Sequence, residues 1–458
     1  MKIIIFSLGL ALSLVACIKK APDYAVFTGK IDNLDIKEIT LAKADRSFSK
    51  KIAVDPNGTF ADTIKADPGL YLLTAGKNRS SVYLYNGSAV NITADAKDFN
   101  ASLNVSGKGA AATNYMIFKN KKTAELKGEG MDVYKLEEAD FKNKFKEINK
   151  TLNAKLDTAQ GITPAFKSLE KRNLNYDYLL ELSRYAGGYH RQWAKKRGYK
   201  ASEEFLAELK EIDLNNDIDF YFSSAYKKLV HRHYNEEIKQ LIKKESIDYG
   251  LVKVTVYSTI PNQTIKNELI FSGAENQIYN TEKFEDFYNI FMGASTNEEN
   301  NAKITEIYNQ LIKLNKGQRS PKFVDYENNA GGTLSLDDLK GKYIFIDVWA
   351  TWCGPCVAEL PYLKRLEKEY SGKNISFLSI SMDDQKDHDK WTKMIADKGL
   401  GGIQVLADSA FKSQFIQDYE IRSIPRFILI DPEGLIVTQH APRPSSPEII
   451  DLFNSLNI

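Results

Sequence analysis

The chain has 458 residues, 43% of them hydrophobic, an ordinary globular composition able to build large cores and more than one domain. Its 62 basic and 60 acidic residues leave a formal charge of +2 with no long block of either sign. That balance argues against a nucleic-acid partner and against an acidic tail.

At the start, MKIIIFSLGLALSLVA (residues 1–16) sets one lysine ahead of an apolar run shorter than the ~20 residues a spanning helix needs. It reads as a secretory signal. The segment LVAC, Leu14 to Cys17, resembles the lipobox of bacterial lipoproteins. The resemblance implies that Cys17 is lipidated and becomes the new N-terminus, with residues 17–22 as a lipidated linker. Several acyl chains on one residue would hold the protein to a membrane surface. No second stretch of spanning length follows.

Residues 23–108 are made of short strand-like runs, among them YAVFTGKI, EITLAKA, GLYLLTAG and SVYLYNGSAVNITADA. The turn sequences DPNG (Asp55–Gly58) and Asn86-Gly87 lie between them and predict hairpins in a small antiparallel β-sandwich. The alternating tyrosines read as packing.

Residues 109–318 predict a mostly α-helical region. Phe141, Phe145, Ile148, Leu152 and Leu156 recur at helical spacing among polar residues, an amphipathic stripe. NYDYLLELSRYAGGYHRQWAKKRG and NNAKITEIYNQLIKLNKG behave alike, with Gly317 placed as a C-cap, whereas LVKVTVYSTI from Leu251 looks β-like. His231 and His233 are two apart, which points them differently on a helix, and no third ligand stands nearby. No metal site is expected.

From 319 to 458 turn, buried strand and helix alternate, the pattern of an α/β domain. Here lies WATWCGPCVAELP. With Cys17 assigned to lipid, Cys353 and Cys356 are the remaining thiols of three. A staple across two intervening residues would restrain little of the unfolded chain. Zinc would require four ligands, and there is no second CxxC. A redox couple remains. The strand YIFIDVWA feeds the pair into a helix start, where unpaired backbone N–H groups and the helix dipole favour a thiolate. Cys353 is therefore the attacking thiol, and Cys356, one turn further in, the resolving thiol.

The segment DVWATWCGPC resembles the active site of thioredoxins, and residues 319–458 resemble the TlpA/ResA-like membrane-tethered thiol-disulfide oxidoreductases. The resemblance implies a C-terminal thioredoxin-like fold. It implies that Asp347 is the buried acid relaying the proton of Cys356, and that Glu359 is a second acid near the sulfurs. Pro361 matches the proline that kinks the active-site helix, Ile424-Pro425 matches the cis-proline loop facing the cysteines, and Trp352 shapes the substrate side. The stretch from Ser381 to Glu420 matches the strand-helix addition of the tethered group, in which His388 has no evident role. The β-rich front region resembles the domain that precedes such modules in some envelope lipoproteins.

The expectation is a multidomain cell-envelope lipoprotein facing the periplasm, with no cofactor. It would reduce disulfides of exported proteins and be resupplied by a membrane-embedded electron donor. The Gly-Pro dipeptide between the cysteines resembles that of reducing thioredoxins. A binding or scaffold lipoprotein with an accessory redox domain, and a peroxiredoxin-like thiol peroxidase, are the alternatives.

Overall fold

In the computed structural model, residues 22–458 are described except for 44–46, 66, 246–247 and 282. Cys17 and the signal segment lie outside the described residues. The chain divides into two compact units, residues 1–232 and 233–458, so the division falls inside the helical region. Among the described residues no helix is long and apolar enough to cross a membrane.

The first unit opens with β1 (Ala25–Asp32), β2 (Glu38–Lys43), β3 (Ser49–Ala53), β4 (Thr59–Ile64), β5 (Gly69–Ala75), β6 (Asn78–Leu84), β7 (Ala89–Asp95) and β8 (Asn104–Lys108). They form two four-stranded sheets, β4-β1-β7-β8 and β3-β2-β5-β6. Alternate residues such as Phe27, Leu41, Leu73 and Ile92 from both sheets enter one core, which makes a sandwich. Two details correct the sequence reading. DPNG does form a tight turn, with Gly58 at φ +82°, yet it carries the chain from β3 in one sheet to β4 in the other. Asn86-Gly87 does the same between β6 and β7, and β7 pairs with β1 in parallel. Turn residues fix the local reversal. Burial of the alternating face decides the pairing.

Helices α1 (Ala110–Lys127), α2 (Glu138–Thr158) and α3 (Pro164–Arg184) follow, and the boundary between the units falls within α4 (Ser224–Glu245). All five residues of the expected α2 stripe are buried. Thr163 caps α3 by accepting from the Phe166 N–H at 3.2 Å, and Pro164 occupies its first turn, where a missing N–H costs nothing. The helix gives way to an irregular turn at Tyr185–Tyr189, where Gly188 takes φ +126°.

The second unit continues with α5 (Tyr249–Ser258), α6 (Gln263–Phe271), α7 (Phe284–Ala294) and α8 (Glu298–Leu311). The β-like LVKVTVYSTI is thus helix. Its β-branched residues suit a strand in isolation, but the Asp248 carboxylate caps the Leu251 N–H at 2.9 Å and the valines bury against neighbouring helices. The last helix also stops short of the expected Gly317. That glycine donates its N–H to the Ile436 carbonyl at 2.8 Å, so its positive φ serves the junction with the following sheet.

That sheet is built from β9 (Tyr326–Asn328), β10 (Thr333–Leu334), β11 (Tyr343–Trp349), β12 (Ile375–Ser381), β13 (Ile403–Leu406), β14 (Arg426–Ile430) and β15 (Ile436–Thr438), in the order β10-β9-β13-β12-β11-β14-β15. Helices α9 (Gly354–Glu369), α10 (His388–Lys398) and α11 (Glu448–Ser455) cover it. Strands β11, β12 and β13 are parallel, and β14 is antiparallel to β11. Alternation along β11 sends Ile344, Ile346 and Val348 into one core and Phe345 into the other, with Leu363 and Leu366 of α9 and Phe453 of α11. The architecture is therefore a β-sandwich, a helical middle and a C-terminal thioredoxin-like α/β domain.

Candidate active site

Strand β11, flanked by β12 and β14, ends at Trp349, and a short turn delivers Cys353 to the N-cap of α9. That turn is held from below. Buried Asp383 accepts from the Thr351 N–H at 3.0 Å, from Thr351 Oγ1 at 2.7 Å and from Ser381 Oγ at 2.7 Å. The Met382 N–H donates to the Trp349 carbonyl at 2.7 Å.

Cys353 and Cys356 are joined as a disulfide with Cα atoms 5.2 Å apart. Cys353 Sγ also accepts the Cys356 N–H at 3.2 Å, one of the N–H groups a helix start leaves without an intrahelical partner. The two cysteines are only 5% and 2% exposed, whereas Trp352 beside them is 58% exposed and faces Phe411 at 6.4 Å between ring centres. Phe411 borders an open depression of about 460 Å³, shared with Ile416, Gln417, Glu420, Ile421 and Arg422. Pro361 lies inside α9 as expected.

Asp347 is two residues beyond Phe345 on β11, which aims it at the face covered by α9 and α11. It is 3% exposed, and its carboxyl is raised to about 8, first by burial, then by the charges of Glu359 and Glu367. Glu359 is buried on α9, where its Oε2 accepts the Ser445 N–H at 3.0 Å and its Oε1 accepts Ser445 Oγ at 2.9 Å. Arg443 Nη1 stands 3.7 Å from the same carboxylate. Glu367, about two turns further along α9, is itself raised to about 7 by burial.

Strand β14 aligns Arg426 with Val348 of β11, so the loop just before it lies beside the end of β11 that leads to Cys353. The Ile424–Pro425 peptide in that loop is cis, and Ile424 packs against the core cluster containing both cysteines. Of the residues expected from sequence, the fold thus brings Cys353, Cys356, Asp347, Glu359, Trp352, Ile424 and Pro425 to one end of one sheet. His388, without a role in sequence, pairs through Nε2 with Glu327 Oε1 at 2.7 Å. His231 and His233 lie on α4, and among the described residues no group of three potential ligands gathers for a metal.

Sequence reasoning missed Asp383, Ser445, Arg443, Glu367 and Arg426. Arg426 is buried and drawn down to about 10 by that burial; its Nη1 contacts His440 Nδ1 at 2.8 Å. Only Arg426, a charge inside the apolar strand RFILI, carried a usable signal in the sequence.

Comparison with known proteins places the same segment. The AhpC/TSA family model matches residues 317–439. The thioredoxin-like protein YneN of Bacillus subtilis is 30% identical over 129 residues, covering 28% of this chain and 73% of the relative. Thiol-disulfide oxidoreductase ResA of Bacillus thuringiensis is 33% identical over 129 residues, covering 28% of this chain and 70% of the relative. Among solved structures, the thioredoxin domain of a thiol-disulfide oxidoreductase from Bacteroides vulgatus is 28% identical, covering 31% of this chain and 98% of that one, with a TM-score of 0.29.

Proposed function

The chain belongs to the thioredoxin-like thiol-disulfide oxidoreductases typified by ResA, and from that premise we propose that it reduces disulfides of exported proteins in the cell envelope. The observation that carries this reading is Cys353 at the helix N-cap, its sulfur bound to Cys356 and bordered by the exposed Trp352.

In the reduced chain the Cys353 thiolate attacks one sulfur of a substrate disulfide, forms a mixed disulfide and expels the other sulfur as a thiolate. Cys356 then loses its proton and attacks Cys353 Sγ. The second substrate sulfur leaves as a thiolate and takes up a proton, and the Cys353–Cys356 disulfide remains. The substrate gains two electrons and the enzyme has lost two. An electron donor must return them, and we assign that role to a membrane-embedded protein.

Asp347 is the group suited to the Cys356 proton, because a carboxyl raised to about 8 lies close to an ordinary thiol near 8.5, so the transfer is nearly balanced. Glu359, tied to Ser445, acts mainly through its charge on Asp347. Trp352, Ile424 and Pro425 border the substrate's approach, and Cys17 carries the lipid that keeps the protein on the periplasmic side of a membrane. Residues 23–108 and 109–318 then serve as the parts that position the redox domain, 319–458.

The reading is tested by following reduction of insulin disulfides by chemically reduced full-length chain. The wild type should transfer two electrons per molecule, and Cys353→Ala none. Equal activity in Cys353→Ala would refute it.

A further inference from the structure

Tyr279 lies in the helical turn Ile278–Asn280, between α6 and α7. Arg422 places its guanidinium carbon 4.0 Å from the centre of the Tyr279 ring and donates from Nη2 to Tyr279 Oη at 2.7 Å. Four residues on, Arg426 donates from its own Nη2 to the Tyr279 carbonyl at 3.1 Å. Between the two arginines stand Ser423, Ile424 and Pro425, and Ser423 Oγ reaches Asn280 Oδ1 at 3.5 Å. One buried tyrosine thus holds both ends of the loop beside the cysteines.

The arrangement is costly for mere packing. Arg426 is 6% exposed, and among the described residues its hydrogen bonds go to His440 and to the carbonyls of Gln439 and Tyr279, none of them a carboxylate. A buried cation without an acid adds little stability by itself, and what it supplies here is a fixed geometry.

We propose that Tyr279 is a positioning residue for disulfide exchange: by gripping Arg422 and Arg426 it fixes the loop along which a disulfide-bearing protein segment reaches Cys353. The proposal rests on the exchange reading above. A loop already ordered before a partner docks spares the complex the cost of ordering it. The benefit falls on protein substrates, which run along the loop. A disulfide too small to span it gains nothing.

Two substrates of the reduced full-length chain separate these cases, insulin and oxidised glutathione. In Tyr279→Ala, loss of a cation–π contact and a hydrogen bond should raise KM for insulin about tenfold. KM for glutathione should stay within about twofold, since no loop contact is lost. The midpoint potential of the cysteine pair, which a general disturbance of the site would move, should stay at the wild-type value. Tyr279→Phe keeps the ring against Arg422 and should raise the insulin KM about threefold, for one lost hydrogen bond. That variant decides the matter if Tyr279→Ala does not fold. An unmoved insulin KM, or an equal rise for both substrates, overturns the positioning role alone. A wild type that reduces neither substrate overturns it together with the exchange reading.

Discussion

The carboxyl of Asp347 and the carboxylate of Glu359 face one another's field inside the same layer: the charge of Glu359 adds to burial in raising Asp347 to about 8. Asp347 stands on β11 and Glu359 on the helix that starts at the cysteines. The pair therefore ties proton affinity to the element that carries the sulfurs.

A folded-state value of about 8 lies above the ordinary aspartate value of about 3.9, so between these pH values the folded chain holds a proton that the unfolded chain has released. Stability consequently falls as pH rises through that window. Asp347→Asn removes the loss. The variant should exceed the wild type at pH 8 by up to a few kcal/mol, with the gap narrowing toward pH 4. Urea unfolding of the oxidised proteins at both pH values checks this, and a variant weaker at both would mark Asp347 as a plain structural acceptor.

Replacing Glu359 by glutamine removes the charge while keeping the side chain's size. The Asp347 proton should then leave at lower pH, because one of the causes that raise it is gone. Single-turnover kinetics against pH should show the inflection of the resolution step shifted downward from about 8. An unshifted inflection would mean that Glu359 does not govern the proton.

The Asp248 cap gives a stability prediction away from the site. Asp248→Ala leaves the Leu251 N–H without its acceptor and should cost about 1 kcal/mol, with disulfide reduction unchanged. Chemical unfolding and an insulin assay on one preparation separate the two effects.

For the membrane anchor, Cys17→Ala should release the chain from membranes or stall its processing, because the first sixteen residues are too short an apolar run to hold it. Fractionation and the mass of the mature N-terminus provide the check. A mutant that is fully processed and still membrane-bound would contradict lipid anchoring.

The site was legible where chemistry is written in contiguous residues. WCGPC after an apolar strand fixes both the sulfurs and their helix start, and the stripe from Phe141 to Leu156 fixes a helix face. Legibility failed where partners are far apart. Leu251–Ile260 looks like strand until the Asp248 cap and the packing of its valines are seen. DPNG names a turn without naming the sheet that receives the next strand. The grip of Tyr279 on Arg422 and Arg426 joins residues more than a hundred positions apart, and no local pattern announces it.

The division of labour between the two sulfurs is the centre of the account, and trapping tests it most directly. Cys353 can attack a partner disulfide alone, but release of that partner requires Cys356. Cells making Cys356→Ala should accumulate covalent adducts on non-reducing gels that vanish with reductant, and mass spectrometry of those bands identifies the partners. Cys353→Ala should trap few or none. Adducts on Cys353→Ala and none on Cys356→Ala would contradict the assignment of the attacking sulfur, and their absence from both under conditions that require the protein would contradict disulfide exchange as its function.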